Sequence, residues 1–264
     1  MHAITIPDLK NVLYKTLEQS AISSIIDSIL HSGGKPILCA GAVRDALISI
    51  EKGGTLSKPH DLDIGIAGLD RRRFDHLFRG IGAVPNKYGG YVVEEAECPL
   101  DIWRLEETCG IRVHGLQAFE SNVLRSFVIA FNSVAFDLYT GRLNDYGCLQ
   151  AIRSKQIDLN SDALLHGHST FAAKALILSA RLCLPLSASM RSFVAEFVEP
   201  QCFWHEFSKV FGLGHDNAAL AFAELISRYP KIMGRVQARQ AREAVHFSGR
   251  FYAPKEDRLN YENS

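Results

Sequence analysis

The 264-residue chain has no Cys-x-x-Cys pair, no apolar run long enough to cross a membrane, and no net charge. Each absence excludes something. Its six cysteines (Cys39, Cys98, Cys109, Cys148, Cys183, Cys202) stand singly, several inside apolar runs such as Ile37-Leu38-Cys39-Ala40. Scattered buried thiols exclude a disulfide framework and predict a reducing, cytoplasmic setting. Without a membrane-length segment, and with Pro7, Asp8 and Lys10 where a signal peptide would be basic and then apolar, a soluble protein is expected. Lys+Arg and Asp+Glu are equal at 29 each, which argues against a long phosphate-tracking groove but leaves room for a local RNA contact. Repeats and low-complexity stretches are also missing.

What is present is ordinary for a folded core: 47% hydrophobic and 22% charged residues. Apolar positions at helical spacing run from Pro7 to His31 and stop at Gly33-Gly34. A short apolar strand, Pro36 to Ala40, leads through Gly41 into a helix over Ala42–Ile50. A Gly-containing loop follows, Glu51 to Pro59. Asp61-Leu62-Asp63-Ile64-Gly65-Ile66 alternates as a half-buried strand does. A helix is predicted over Leu69–Ile81, strands over Tyr91–Glu95 and Leu100–Leu105, and a hairpin between Phe131 and Asp145. Beyond Asp162 the texture becomes helical: Ala163–Leu184, a helix capped by Ser187, Cys202–Phe211, Asn217–Tyr229 and Arg235–Phe247. The expected organisation is an α+β head with a mixed sheet (residues 1–158), an all-helical neck-like domain (159–251) and a polar tail (252–264).

Strand residues two apart project from one face, so Asp61 and Asp63 point together while Leu62, Ile64 and Ile66 face the core. Two converging carboxylates repel unless a cation lies between them, and Mg²⁺ suits hard oxygen ligands shared with phosphate. An Asp-x-Asp alone more often describes two solvent-facing acids. The element upstream adds to it. Cys39-Ala40-Gly41-Ala42-Val43-Arg44-Asp45 reads as strand, glycine turn and helix start, and a helix N-terminus offers free N–H groups to a triphosphate. Arg44 can bond a phosphate oxygen or pair internally with Asp45 or Asp61, and the two roles can coexist.

The turn Ala40-Gly41-Ala42-Val43-Arg44-Asp45-Ala46-Leu47, followed by His60-Asp61-Leu62-Asp63-Ile64, resembles the opening motifs of the tRNA nucleotidyltransferase/poly(A) polymerase family, Gly-Gly-x-Val-Arg-Asp and Asp-x-Asp. Ala40 replaces the first glycine, a change conservative in size. Pro99-Leu100-Asp101-Ile102-Trp103 resembles the strand that carries a further acid in this superfamily. The segment from Phe131-Asn132 to Asp145-Tyr146-Gly147 resembles the end of the family's head. The likeness extends over about residues 35 to 185. It implies a polymerase-beta-like head and metal-dependent transfer of a nucleoside monophosphate from an NTP to a hydroxyl. The acceptor would be an RNA 3′ end, a small molecule or a protein. It further implies Asp61, Asp63 and Asp101 as catalytic residues, and Asp61 and Asp63 as ligands of Mg²⁺ or Mn²⁺. Ala40, Gly41, Arg44, Asp45 and Asn132 would bind the nucleotide.

Two departures stand beside these matches. Where the family has Arg-Arg-Asp, alignment on Asn132 gives Ser126-Phe127-Val128, with Arg125 one residue upstream. Where it reads the base with Glu-Asp-x-x-Arg, this chain has Gly167-His168-Ser169-Thr170-Phe171, a different and looser set of hydrogen-bonding groups. CCA addition is therefore not expected of it. After the head some hundred residues remain, room for one helical unit and not for further tRNA-gripping domains. His166-Gly167-His168 is read as structural, Arg71-Arg72-Arg73 as a solvated face, and Trp103 and Trp204 as core aromatics. The alternative to an enzyme is a nucleotide-binding regulatory module that has lost transfer activity.

Overall fold

The alternation in Leu62-Asp63-Ile64-Gly65-Ile66 decides how the sheet is clothed. In the computed structural model, which describes residues 5–18, 20–53, 59, 61–94, 98–160, 168–211 and 216–237, Leu62, Ile64 and Ile66 are all fully buried. The strand partners repeat the parity. Leu38, Leu100, Ile102 and Phe136 join one large core, whereas Ile37, Cys39, Leu105 and Ala135 join a smaller one on the opposite face.

The order of elements is α1 (Ile6–Leu17), α2 (Ser20–His31), β1 (Lys35–Cys39), α3 (Gly41–Lys52), β2 (Leu62–Ala67), α4 (Arg71–Gly80), β3 (Val84–Pro85), β4 (Tyr91–Val93), β5 (Leu100–Arg104), α5 (Cys109–His114), α6 (Glu120–Arg125), β6 (Val134–Asp137), β7 (Arg142–Asp145) and α7 (Cys148–Ser154). Helices α8 (His168–Leu182), α9 (Ala188–Phe197), α10 (Pro200–Phe211) and α11 (Asp216–Arg228) follow, and residues 230–237 are helical. The mixed sheet has the order β3-β4-β5-β2-β1-β6-β7. Among the described residues β2–β5 is the parallel pair, and the other neighbours run antiparallel.

This is the expected α+β architecture, a mixed sheet followed by helices. The single helical pattern over Pro7–His31 is realised as two helices, each with its own apolar stripe: Leu9, Leu13 and Leu17, then Ile22, Ile25 and Ile29. The hairpin forms between β6 and β7, its turn held by Asp137 Oδ1, which accepts from the Tyr139 and Thr140 N–H groups. Ser187 caps α9 by accepting from the Met190 N–H. The two-residue strand β3 and the short helices α5, α6 and α7 are too brief to leave a periodic signal. Residues 163–167, the expected helix over Arg235–Phe247 beyond 237, and the polar tail lie outside the described residues.

Helices α8 to α11 share the large core with the sheet. Ala172, Leu176, Met190, Phe203 and Leu225 belong to the same buried cluster as Ile64 and Phe136. The stretch after α7 is bound to the helical part, where the Ile157 N–H donates to the Pro185 carbonyl and the Ser187 N–H donates to the Ile157 carbonyl. The helical layer is thereby fixed over one end of the sheet, the end at which β1 finishes and β2 and β5 begin.

Candidate active site

At that end three carboxylates come together. Asp63 pairs in register with Asp101 on the neighbouring parallel strand, so the two side chains leave the same face about 4.8 Å apart at the backbone. Asp61, exposed, precedes β2 by one residue. Burial and neighbouring negative charge both raise the carboxyls of Asp63 and Asp101. Burial, then the charges of Asp61 and Asp101, push the Asp63 carboxyl up to about 7, against the opposing pull of Lys174 and Arg44. Asp101 is also raised, by burial first, while a hydrogen bond from Asn86 Nδ2 at 2.8 Å works the other way.

Among the described residues no three His, Cys, Asp or Glu side chains close into a ready-made metal cage. The donor set nonetheless fits a hard divalent ion. Asp61 and Asp63 supply two carboxylates with a surplus of negative charge, and Mg²⁺ ordinarily takes one or two protein carboxylates and completes its shell with water and phosphate oxygens.

The carboxylates open into a cleft of about 560 Å³ between the sheet end and the helical layer. On the sheet side it is lined by Ala40, Gly41, Arg44, Asp45, Tyr88 and Asn132. On the helical side α8 contributes Thr170, Lys174, Ile177, Leu178 and Arg181, positions spaced as one helix face. Helix α10 adds Glu206 and Lys209, which pair with each other at 3.2 Å. All the predicted site residues thus share one cleft. The cleft also holds three cations that belong to none of the motifs, Lys174, Arg181 and Lys209. Their signal was present in α8, where Lys174 and Arg181 lie seven residues apart on an otherwise largely apolar helix.

The turn between β1 and α3 differs from expectation in two respects. Ala40, read as a harmless replacement for glycine, has φ +51° and ψ −113° at the N-cap of α3, a backbone region that disfavours any side chain. Conversely, the protein itself does not require a glycine at 41. A Cβ added there would meet only Arg44 Nη2, at 3.7 Å. Gly41 therefore leaves open space at the first turn of a helix, facing the cleft.

Arg44 takes the internal role. It is 4% exposed, and its guanidinium donates from Nε to Asp45 Oδ1 at 2.8 Å and from Nη1 to Asn132 Oδ1 at 2.6 Å. Asp45 in turn accepts from Arg181 Nη2 through its other oxygen at 2.7 Å. Asp45 and Asn132, predicted to touch the nucleotide, are held first by this network.

The departures from the family pattern also resolve. Ser126 and Val128 are buried, and Ser126 Oγ donates to the Val123 carbonyl. Arg125 ends α6 away from the cleft lining. In the stretch that replaces the base-reading motif, His168 stacks on Phe197 with centroids 4.4 Å apart, and Ser169 accepts from Cys202, so Thr170 is the one of the three that faces the cleft. His166 lies outside the described residues. In the basic run on α4, Arg71 pairs with Asp75 and donates to the Gly89 carbonyl, and Arg73 pairs with Asp70. Trp103 and Trp204 both pack against buried apolar clusters, Trp103 also donating to Thr108 Oγ1.

No protein-family model and no curated protein matches this sequence. Solved structures do. One described as a tRNA-processing enzyme in an apo form aligns with a TM-score of 0.56 at 17% identity, over 80% of this chain and 59% of its own. A tRNA nucleotidyltransferase complexed with a primer tRNA and an incoming ATP analog gives 0.54 at 19%, over 78% and 60%. A CCA-adding enzyme with ATP gives 0.58 at 14%, over 85% and 56%. This chain thus spans less than two thirds of the length of each. Its fold is the one these solved structures share, as the resemblance in the glycine turn and Asp-x-Asp implied.

Proposed function

We propose that the cleft binds a nucleoside triphosphate and transfers its nucleoside monophosphate to the 3′ hydroxyl of an RNA, releasing pyrophosphate. The observation that carries this reading is the facing of the Asp61/Asp63/Asp101 group by Lys174 across one cleft, with the open helix start at Gly41 in the same lining. Carboxylates opposite cations, with unfilled backbone donors alongside, match the needs of a metal-bridged triphosphate and serve no purpose in packing.

A divalent ion held by Asp61 and Asp63 supplies, when bound, neutralisation of phosphate charge and a more acidic acceptor hydroxyl. The chain's own groups do the rest. The N-terminus of α3 receives phosphate oxygens at Gly41. Lys174 and Arg181 approach them from α8 as charge-assisted donors. Asp101, its pKa raised by burial, accepts the proton of the attacking hydroxyl, for which an acid nearer neutrality is better matched than an ordinary carboxyl. Arg44 does not bind the reactants directly in this scheme; it fixes Asn132 and Asp45 as the floor.

The test is transfer of label from each α-labelled NTP, with Mg²⁺, into fractionated RNA, protein and small molecules, beside an Asp61→Ala/Asp63→Ala double variant. Metal-dependent label in RNA, lost in the variant, is the expected result. Nucleotide binding with no transfer into any fraction would instead favour a regulatory nucleotide-binding module.

A further inference from the structure

The cleft has two ends, and the sheet order separates them. From one side to the other stand the β3–β4 turn, Asp101 on β5, Asp63 on β2, and the Gly41 turn after β1. Phosphoryl transfer runs in line, with the attacking and leaving oxygens on opposite sides of the phosphorus. If pyrophosphate leaves toward Gly41, the acceptor enters from the β3–β4 turn. This step rests on the function proposed above.

That turn is built with unusual care for an exposed loop. Asn86 Oδ1 accepts from the N–H groups of Tyr88 and Gly90, and Asn86 Nδ2 donates to Asp101. Arg71 donates to the Gly89 carbonyl at 2.8 Å, tying the other flank to α4. Gly89 has φ +89°, and a Cβ on Gly90 would stand 2.4 Å from the Ile102 carbonyl oxygen, so neither position accepts a side chain easily. What all this holds is Tyr88, which lines the cleft yet is 59% exposed. Lys87 Nζ stands 5.1 Å from its ring centroid. A large ring presented to solvent, fixed to a reacting carboxylate and accompanied by a cation, has no packing role to explain it. Aromatic faces interleaved with cations are how proteins hold single-stranded nucleotides.

We infer that Tyr88 is the acceptor platform. The terminal base of the acceptor strand stacks on its ring, Lys87 meets the adjoining phosphate, and Asn86 sets the platform's distance from Asp101. Tyr88 is a positioning and specificity residue; it touches no reacting atom.

The experiment uses the full chain as wild type, Tyr88→Ala and Tyr88→Phe. Binding of a 5′-fluorescein-labelled single-stranded RNA 12-mer is followed by anisotropy. ATP binding and, where transfer occurs, kcat and KM for the RNA are measured in parallel. Tyr88→Ala is expected to weaken RNA binding about tenfold and to raise the acceptor KM alike, with ATP binding unchanged. Tyr88→Phe, which keeps the ring, is expected to restore both. RNA binding equal in wild type and Tyr88→Ala overturns the assignment, as does a Tyr88→Ala defect confined to ATP. Because anisotropy reads binding without turnover, absence of transfer would sink the proposed reaction while leaving the platform decided by the RNA measurement.

Discussion

Asp45 on α3 and Arg181 on α8 meet at 2.7 Å although 136 residues separate them. The same carboxylate holds Arg44 through its other oxygen, so one acid serves a buried cation and a partly exposed one. Their side chains are 5% and 36% exposed. Removing Asp45 strands the buried guanidinium, whereas removing Arg181 leaves a satisfied pair. Asp45→Ala should therefore lower the unfolding free energy by about 3 kcal/mol and Arg181→Ala by less than about 1 kcal/mol. Denaturant unfolding of both, with the double variant to extract the coupling, checks the asymmetry. Equal losses would mean that the pair across the cleft dominates.

Ala40 offers a stabilising substitution. Its φ of +51° is strained for any residue with a Cβ, and relief of such strain is worth on the order of 1 kcal/mol. Ala40→Gly should raise Tm by about 3 °C. A calorimetric scan showing no gain would remove the claim that this turn is strained.

Gly41 separates stability from binding. Since an added Cβ meets only Arg44 Nη2 at 3.7 Å, and alanine is the better helix former, Gly41→Ala should fold at least as stably as wild type. On the proposed function it should also bind ATP about tenfold more weakly, because the methyl group would stand where that reading places the phosphates. Unchanged ATP affinity by titration calorimetry would move the triphosphate elsewhere.

The raised pKa of Asp63 makes stability depend on pH. Its carboxyl, pushed up to about 7 by burial and by its two acidic neighbours, holds its proton more firmly folded than unfolded. Folding then takes up a proton between the ordinary carboxylate range and pH 7, so stability falls as pH rises through that window. In metal-free buffer Tm should drop by about 3 °C or more from pH 5 to pH 8. Asp63→Asn should shallow the drop, and Mg²⁺ should recover Tm at pH 8. A variant whose profile parallels the wild type would assign the slope to other groups.

Part of this arrangement is written in local sequence, and part only in tertiary structure. The parity of Leu62-Asp63-Ile64, the cap at Ser187 and the β6–β7 hairpin are local patterns, legible because strand and helix periods act over a few residues. The placing of Asp61, Asp63, Asp101 and Asn132 in one cleft was legible through motif order. Arg44's engagement with Asn132, 88 residues away, was not, since a charged residue at a helix start serves a phosphate or an internal acid equally well by local criteria. Lys174 and Arg181 escaped for a related reason. Only the tertiary rotation of α8 decides whether its cations face solvent or the carboxylates. Tyr88 was hidden because a turn aromatic has no period at all.

The in-register pairing of Asp63 with Asp101 has a mechanical consequence. Their separation is set by the hydrogen-bond ladder between two strands, one of the stiffest distances a protein can specify, and loops on either side can vary without altering it. The facing cations belong to α8 and α10, which meet the sheet through side chains of the shared core. Substitutions in α8 can therefore shift Lys174 relative to the acids while the spacing of the acids themselves stays set by the β2–β5 ladder.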